Sequence, residues 1–295
     1  MIPCSTIDSG RDPSEKVKIY YAEDSDPEKA GQGLAQAPFV HAGLGPEPPL
    51  YWMMSPAEQA VFTFLLQNQK PEVAIEIGTH FGGSLQVLAR YCRQVYSLDT
   101  DPEVPRRLAG RFPNVEYITG PSGSTLPSLL RRIQEGEEKL GFVLVDGDHS
   151  AEGVRTDMNI LLRYQPVVPL FIIMHDSFNP ECRRGLRSSD WAANPHLHAV
   201  ELDFVPGVVN PAPKFKGQLW GGLALAWLLP EPRRGHFEVT ASGEMTFQSV
   251  QAGLANGWLS RPGRKLLSGR NPALIFLGRA VRKVARLLRG GGTPH

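Results

Sequence analysis

The feature that most constrains this chain is residues 71–101, where two short apolar runs flank a glycine-rich turn and a helical pattern. The first run, Val73–Ile77, has the character of a strand that is buried on both faces. The second run, residues 95–98, ends at Asp99. This order of elements predicts the first half of a nucleotide-binding α/β fold. In such a fold the glycines let a ligand approach the backbone at a helix N-terminus, and the acid accepts ribose hydroxyls.

The details of the turn separate two classes of cofactor. Dinucleotide-binding proteins use a G-x-G-x-x-G spacing, whose backbone amides face a pyrophosphate. Here the glycines are Gly78, Gly82 and Gly83, and an acid, Glu76, stands two residues before the first of them. A carboxylate at this position would repel a pyrophosphate and suits a ligand with a cationic amino group or sulfonium.

Polar clusters follow two further apolar runs that are predicted to be neighbouring strands. Asp146, Gly147, Asp148, His149 and Ser150 follow the run at residues 142–145, and His175 and Asp176 follow the run at residues 170–174. The carboxyl ends of strands in an open α/β sheet are the usual place for ligands. We therefore expect both clusters to lie in one site.

The turn with Glu76 and Asp99 resembles motif I of the class I S-adenosylmethionine-dependent methyltransferases. The DGDHS and HD segments resemble a subfamily in which many members act on hydroxyls of sugars or secondary metabolites. Residues 55–230 carry this resemblance. It implies a Rossmann-like class I methyltransferase fold, with a seven-stranded, mostly parallel sheet and helices on both faces. It also implies S-adenosylmethionine as cofactor and a small-molecule or saccharide substrate. The implied cofactor-binding residues are Glu76, Gly78, Thr79, Gly82, Ser84, Asp99, Ser122 (beside the adenine) and Asp146.

The polar clusters leave two routes open for removing the acceptor's proton. His149 is predicted to be the general base, because an imidazole accepts a proton near neutral pH. Alternatively, Asp146, His175 and Asp176 bind Mg²⁺ or Mn²⁺. Related metal-dependent O-methyltransferases place one aspartate after the fourth strand and an Asp-Asn or Asp-Asp pair after the fifth, and here two of the three positions match. A purely structural role, in which the aspartates cap loops and orient neighbours, is the other interpretation.

The flanking segments suggest three parts. Residues 1–50 are predicted to form an N-terminal arm or cap, residues 51–235 the cofactor-binding domain, and residues 236–295 a hairpin followed by a basic amphipathic helix at 273–289. That helix either docks on the body of the protein or touches an anionic membrane surface. The domain should open with a helix whose capping box is Ser55 and Glu58. The loop at 205–220 is long enough to enclose the substrate.

Composition limits the remaining choices. A net charge of +1 with 21% charged residues gives no signal for a nucleic-acid partner. Three dispersed cysteines, no apolar run of membrane-spanning length and no apolar leader predict a cytoplasmic enzyme. A homo-oligomer is compatible with the sequence. The rival functions are an oxidoreductase, nicotinamide-dependent or of the cephalosporin-hydroxylase type, and a non-catalytic relative that binds the cofactor. Glu76 and the glycine spacing argue against the nicotinamide enzyme.

Overall fold

Helix α1, Pro56–Gln69, opens the globular part of the computed structural model, which describes residues 49–210 and 218–254. The Ser55 hydroxyl accepts the backbone N–H of Glu58, and the Glu58 carboxylate accepts the backbone N–H of Ser55 at 2.5 Å. The predicted capping box is therefore confirmed. The predicted arm, up to residue 48, and the predicted basic helix lie outside the described residues.

Within the described residues, eight strands form one sheet in the order β10-β6-β9-β5-β4-β1-β2-β3. The strands of this sheet are β1 (Val73–Ile77), β2 (Gln94–Asp99), β3 (Val115–Thr119), β4 (Leu140–Val145), β5 (Leu170–His175), β6 (Leu197–Val205), β9 (Leu223–Leu228) and β10 (Val239–Thr240). Strand β9 runs antiparallel to both of its neighbours, and the other pairings are parallel. The predicted mostly parallel sheet is confirmed, with β10 as a short additional edge strand. A separate two-stranded sheet pairs β7 (Val208–Val209) with β8 (Leu219–Trp220).

Helices cover both faces of the large sheet because alternate strand residues point to opposite sides. The helices after α1 are α2 (Leu85–Tyr91), α3 (Glu103–Arg107), α4 (Ser122–Glu135), α5 (Ala151–Leu161) and α6 (Pro180–Arg187). Ile75 and Ile77 of β1 pack in a core with α4, α5 and α6, whereas Ala74 packs in a second core with α1, α2 and α3. Among the residues described, no helix combines the length and apolarity that crossing a membrane requires.

The order of the strands fixes where a ligand can bind. Strand β1 lies between β2 and β4, so the chain connections leave β1 and β4 toward opposite faces of the sheet. Two backbone hydrogen bonds continue the ladder just past the strands, from Gly78 N–H to Leu98 O and from Asp146 N–H to Ile77 O, both 2.8 Å. Beyond these bonds the loops diverge, and such a divergence produces a crevice at the carboxyl ends of the strands.

The predicted C-terminal hairpin is not formed. Strand β10 pairs in parallel with β6, and residues 244–254 are helical instead of returning as a second strand. The segment is helical because it contacts the buried guanidinium of Arg183, which lies far away in the sequence. The Gly243 N–H bonds to Asp203 Oδ2, Glu244 bonds to Arg183, and Phe247 packs edge-on against Phe178. These contacts hold the segment as a helix against the body of the protein.

Arg183 is the centre of this buried network. Its guanidinium donates to both carboxylate oxygens of Asp203, at 2.7 and 3.1 Å, and to Glu244 Oε2 at 2.6 Å. It also lies 4.5 Å from the centroid of the Phe247 ring. The side chains of Arg183 and Asp203 are only 2% and 1% exposed, so each charge depends on the other for compensation.

Replacing Arg183 with leucine should therefore destabilise the fold strongly. The substitution leaves Asp203 buried without a counter-ion, which costs about 3–5 kcal/mol. Urea denaturation measures the loss. The matched control is Arg184→Leu on the same helix, which removes an exposed ion pair with Glu181 and should change stability little. Equal losses in the two variants would contradict a structural role for the buried network.

Candidate functional site

A cavity of about 790 Å³ opens at the carboxyl ends of β1, β2, β4 and β5. Most of the residues that the sequence singled out contribute to its wall. Those lining the cavity are Gly78, Thr79, Ser84, Asp99, Ser122, Asp146, His149, His175 and Asp176. Glu76 and Gly82 are not among the lining residues. The structure thus brings together the glycine turn and both polar clusters in one cavity.

The glycine turn after β1 requires glycine for two reasons. Gly78 has a φ of +86°, which side chains rarely adopt, and a Cβ there would lie 2.1 Å from the carbonyl oxygen of Asp146. At Gly83 a Cβ would lie 2.5 Å from the Trp52 Cα, so this glycine lets the segment before α1 pack on the turn. Gly82 also has a positive φ, +80°, so it too favours glycine, although it does not line the cavity.

Glu76 stabilises the glycine turn through hydrogen bonds from the buried end of β1. It is fully buried, and its carboxyl group accepts hydrogen bonds from the hydroxyls of Thr79 (2.7 Å) and Ser84 (2.5 Å). Burial raises the pKa of Glu76 to about 8, against an ordinary value near 4.5. Glu76 therefore acts on the cavity through Thr79 and Ser84, which do line it.

Asp99 ends β2 beside the same turn. Its Oδ2 accepts the backbone N–H groups of Thr79 and His80, at 2.9 and 3.0 Å, and its Oδ1 accepts that of Asp101 at 2.9 Å. A carboxylate oxygen has more than one acceptor site, so these bonds leave room for hydroxyl donors from the cavity. The carboxylate is thus fixed in place while it faces the cavity.

The ends of β4 and β5 bring two carboxylates and two imidazoles together, and we call Asp146, His149, His175 and Asp176 the acid–imidazole cluster. His175 Nδ1 lies 2.9 Å from Asp146 Oδ1 and 3.7 Å from Asp176 Oδ2. His149 Nε2 lies 2.9 Å from Asp176 Oδ2 and 3.4 Å from Asp146 Oδ1. One ligand atom from each of Asp146, His175 and Asp176 lies within 4.8 Å of the others.

Two elements far away in sequence support this cluster. Asp176 has a φ of +57°, and its Oδ1 accepts the backbone N–H of Gly221 at 2.6 Å. Glu58 of α1 lies next to His175, with 3.5 Å between Glu58 Oε1 and His175 Nε2. The sequence analysis identified Glu58 only as part of a helix cap. No local sequence pattern indicated that it would lie beside His175.

Hydrogen bonding and charge govern protonation within the cluster. Hydrogen bonds to Asp146 and Asp176 raise the pKa of His149 to about 10. Burial lowers the pKa of His175, but the charges of the same two carboxylates outweigh it and hold the value well above the ordinary one. Burial likewise opposes ionisation of Asp146, yet the two imidazoles lower its pKa to about 2. In this arrangement both imidazoles carry protons at neutral pH, so His149, predicted to be the general base, would have to lose a proton before it could accept one.

The same donors fit a divalent cation. In an octahedral site with metal–ligand distances of about 2.1 Å, neighbouring ligand atoms lie roughly 3.0 Å apart. The 2.9 Å from His175 Nδ1 to Asp146 Oδ1 is close to this value, whereas the 3.7 Å to Asp176 Oδ2 is longer. Two carboxylates with an imidazole suit Mn²⁺, Fe²⁺ or Zn²⁺ better than Mg²⁺, which prefers oxygen ligands alone. Asp146, His175 and Asp176 are the residues that would hold it.

The predicted loop at 205–220 contributes to the cavity through its described residues. Val208, Asn210 and Trp220 all line the wall. The Trp220 ring lies 5.8 Å, centroid to centroid, from the His149 ring in an edge-on arrangement. An aromatic ring beside the cluster offers a surface against which a ligand can stack.

The chain is similar to known methyltransferases over part of its length. Residues 75–177 match a protein-family model described as a methyltransferase domain. Rhamnosyl O-methyltransferases of Mycobacterium tuberculosis and Mycobacterium bovis are 30% identical over 106 residues, which cover 33% of this chain and 42% of each relative. The match thus spans less than half of these curated relatives.

Solved structures with a similar arrangement include two described as O-methyltransferases. One is the O-methyltransferase from Bacillus cereus in complex with SAH, at 21% identity and a TM-score of 0.45, covering 71% of this chain and 93% of that chain. The other is a putative O-methyltransferase from Klebsiella pneumoniae, at 19% identity and a TM-score of 0.41, covering 60% of this chain and 81% of that chain.

The buried Glu76 should make stability depend on pH in a defined direction. Between pH 5 and 8 the folded chain keeps a proton on Glu76 that the unfolded chain releases, so stability falls as pH rises through this window. The contribution is up to about 1.4 kcal/mol per pH unit. Glu76→Gln should remove this contribution, because the neutral amide does not titrate.

Thermal or urea unfolding across pH 5–9 measures the slope. The matched control is Glu72→Gln at the entrance to β1, where the side chain is 38% exposed and pairs with Arg93. This variant should keep the wild-type slope. If Glu76→Gln instead showed the same slope as wild type, the carboxyl group would be ionised in the folded protein.

Proposed function

We propose that this chain is an S-adenosylmethionine-dependent O-methyltransferase acting on a hydroxyl of a sugar, glycoside or other secondary metabolite. The observation that carries the proposal is the presence of two half-sites in one cavity: the glycine turn with Asp99, and the acid–imidazole cluster. The methyltransferase-domain match over residues 75–177 supports the cofactor. The similarity to rhamnosyl O-methyltransferases supports a sugar as acceptor.

The residues around the glycine turn fit the proposed cofactor. The absence of a Cβ at Gly78 lets the turn pack directly against the backbone of Asp146, and both residues line the cavity. Asp99 is held by three backbone N–H groups and is placed to accept ribose hydroxyls, and Ser122 at the start of α4 would border the adenine. The carboxylate of Asp99 at the turn favours a cationic ligand over an anionic one. When bound, S-adenosylmethionine supplies a methyl group that its sulfonium has already activated.

The protein must then orient the acceptor and dispose of its proton. His149 is 41% exposed and lines the cavity together with its two carboxylate partners, Asp146 and Asp176. In its neutral form it is the base that takes the acceptor's proton. A divalent cation would be held by Asp146, His175 and Asp176, and it would supply Lewis acidity toward the hydroxyl. Trp220 borders the same space.

One observation favours a second candidate function, a hydroxylase built on a similar α/β fold. Non-haem iron oxygenases bind their metal through two histidines and one carboxylate, and the acid–imidazole cluster contains these side chains. Transfer of labelled methyl from S-adenosylmethionine to a rhamnose-bearing acceptor separates the two activities. A chain that binds S-adenosylhomocysteine but transfers no methyl group would be the non-catalytic relative.

Asp99→Asn should weaken cofactor binding. The change removes the charge that strengthens hydrogen bonds to the ribose, a loss of about 1.5–3 kcal/mol, or roughly 10–150-fold in Kd. Calorimetry with S-adenosylhomocysteine measures it, and NADH should not bind either protein. The control is Asp101→Asn, an exposed neighbour that is not among the lining residues of the cavity. Equal affinity in wild type and Asp99→Asn would place the ribose elsewhere.

His149→Ala and metal chelation separate the two routes of deprotonation. If His149 is the general base, the alanine variant should lose roughly 10²–10⁴-fold in kcat with little change in cofactor affinity. If a cation is also required, excess chelator should abolish methyl transfer in wild type, and Mn²⁺ should restore it. Full turnover in chelator would exclude the metal route, whereas near-normal kcat in His149→Ala would exclude the imidazole as base.

A further inference from the structure

We propose that Glu58 is a positioning residue that fixes His175 within the acid–imidazole cluster, a role that rests on the function proposed above. Glu58 belongs to the capping box of α1, yet its contacts exceed what a helix cap requires. Three observations support the inference. They are the burial of the Glu58 carboxylate, the lack among the described residues of a hydrogen-bond partner with good geometry for His175 Nε2, and the hydrogen bonds that Glu58 and Asp176 both accept from one turn.

The first observation is the burial of Glu58. A capping-box glutamate has only to reach the N-cap backbone N–H, and a helix end in solvent provides that contact without burial. Here the side chain is only 2% exposed. One carboxylate oxygen accepts the Ser55 N–H at 2.5 Å, and the other accepts the Gly222 N–H. Burying a carboxylate costs free energy unless other groups pair with it. Glu58 therefore needs partners in addition to the helix cap.

The second observation is the imidazole of His175. Its side chain is 8% exposed, and Nε2 is buried without a hydrogen bond of good geometry. The nearest acidic atom to this nitrogen is Glu58 Oε1, at 3.5 Å, while the other ring nitrogen, Nδ1, lies 2.9 Å from Asp146 Oδ1. Histidines that ligate metals characteristically donate their second N–H to a carboxylate, which fixes the ring. Glu58 stands where this carboxylate is needed.

The third observation is a shared hold on the turn between β8 and β9. Glu58 accepts the N–H of Gly222, and Asp176 accepts the N–H of Gly221. A Cβ on Gly221 would lie 2.9 Å from Glu58 Oε1, so glycine allows this approach. Because Trp220 immediately precedes the turn, these two hydrogen bonds hold the chain beside the cluster next to the aromatic residue that lines the cavity.

Glu58→Gln tests the role with the charge removed and the size retained. The matched control is Ser55→Ala, which removes the hydroxyl half of the capping box and leaves the carboxylate beside His175. Both variants should lower the melting temperature. Only Glu58→Gln should weaken Mn²⁺ binding, by roughly 10–100-fold in Kd, as measured by the electron paramagnetic resonance signal of free Mn²⁺.

A second readout needs no metal. The imidazole ¹H–¹⁵N spectrum of the protein reports the hydrogen bonding of His175, whose signals are assigned by their loss in His175→Asn. The His175 ring signals should shift in Glu58→Gln and remain in place in Ser55→Ala. Signals that move no further in Glu58→Gln than in Ser55→Ala would overturn the positioning role, whatever the result with Mn²⁺. Failure of the wild type to bind S-adenosylhomocysteine would contradict the proposed function. The ring signals of His175 would still test the positioning role of Glu58 in that case.

Discussion

The pairing of β1 with both β2 and β4 is the constraint on which the rest of the structure depends. It places the first crossover, through α2, on one face of the sheet and the return through α4 on the other. The backbone bonds of Gly78 and Asp146 keep the strands joined for one residue beyond their ends, and the loops then separate. Both the glycine turn and the acid–imidazole cluster follow from this separation, because each begins where a paired strand stops.

Two carboxyl groups beside this crevice, the buried Glu76 and the half-buried Asp146, show how environment sets charge. Glu76 has only hydroxyl donors around it, so burial dominates and the group tends to stay neutral. Asp146 lies beside two imidazoles, whose charges overcome the same burial penalty and keep it ionised. The charge of Asp146 is therefore balanced by the imidazoles beside it, while Glu76 accepts hydrogen bonds from the two hydroxyls that line the cavity.

Much of this architecture was predictable from the sequence because it depends on local patterns. The apolar runs located the central strands, the turn glycines and Asp99 followed from their spacing, and the two polar clusters met because parallel strands share one edge. What the sequence did not reveal depends on distant partners. The hairpin expected near residue 240 is a helix because Arg183, some 60 residues earlier in the chain, binds Glu244. Likewise, Glu58 reaches Gly222 across 164 residues, and no local pattern signals that contact.

The antiparallel direction of β9 has a consequence for which part of the chain can vary beside the cavity. Because β9 runs against its neighbours, its amino-terminal end lies at the same edge of the sheet as the carboxyl ends of β4 and β5, and the described residues that precede it, Val208, Asn210, Trp220 and Gly221, line the cavity. The base of this connection is fixed at Gly221 and Gly222, whereas surface connections tolerate changes in length and composition. Changes in this one segment can thus alter the contacts offered to a ligand at the acid–imidazole cluster, while the glycine turn and Asp99, which lie on other strands, keep their geometry.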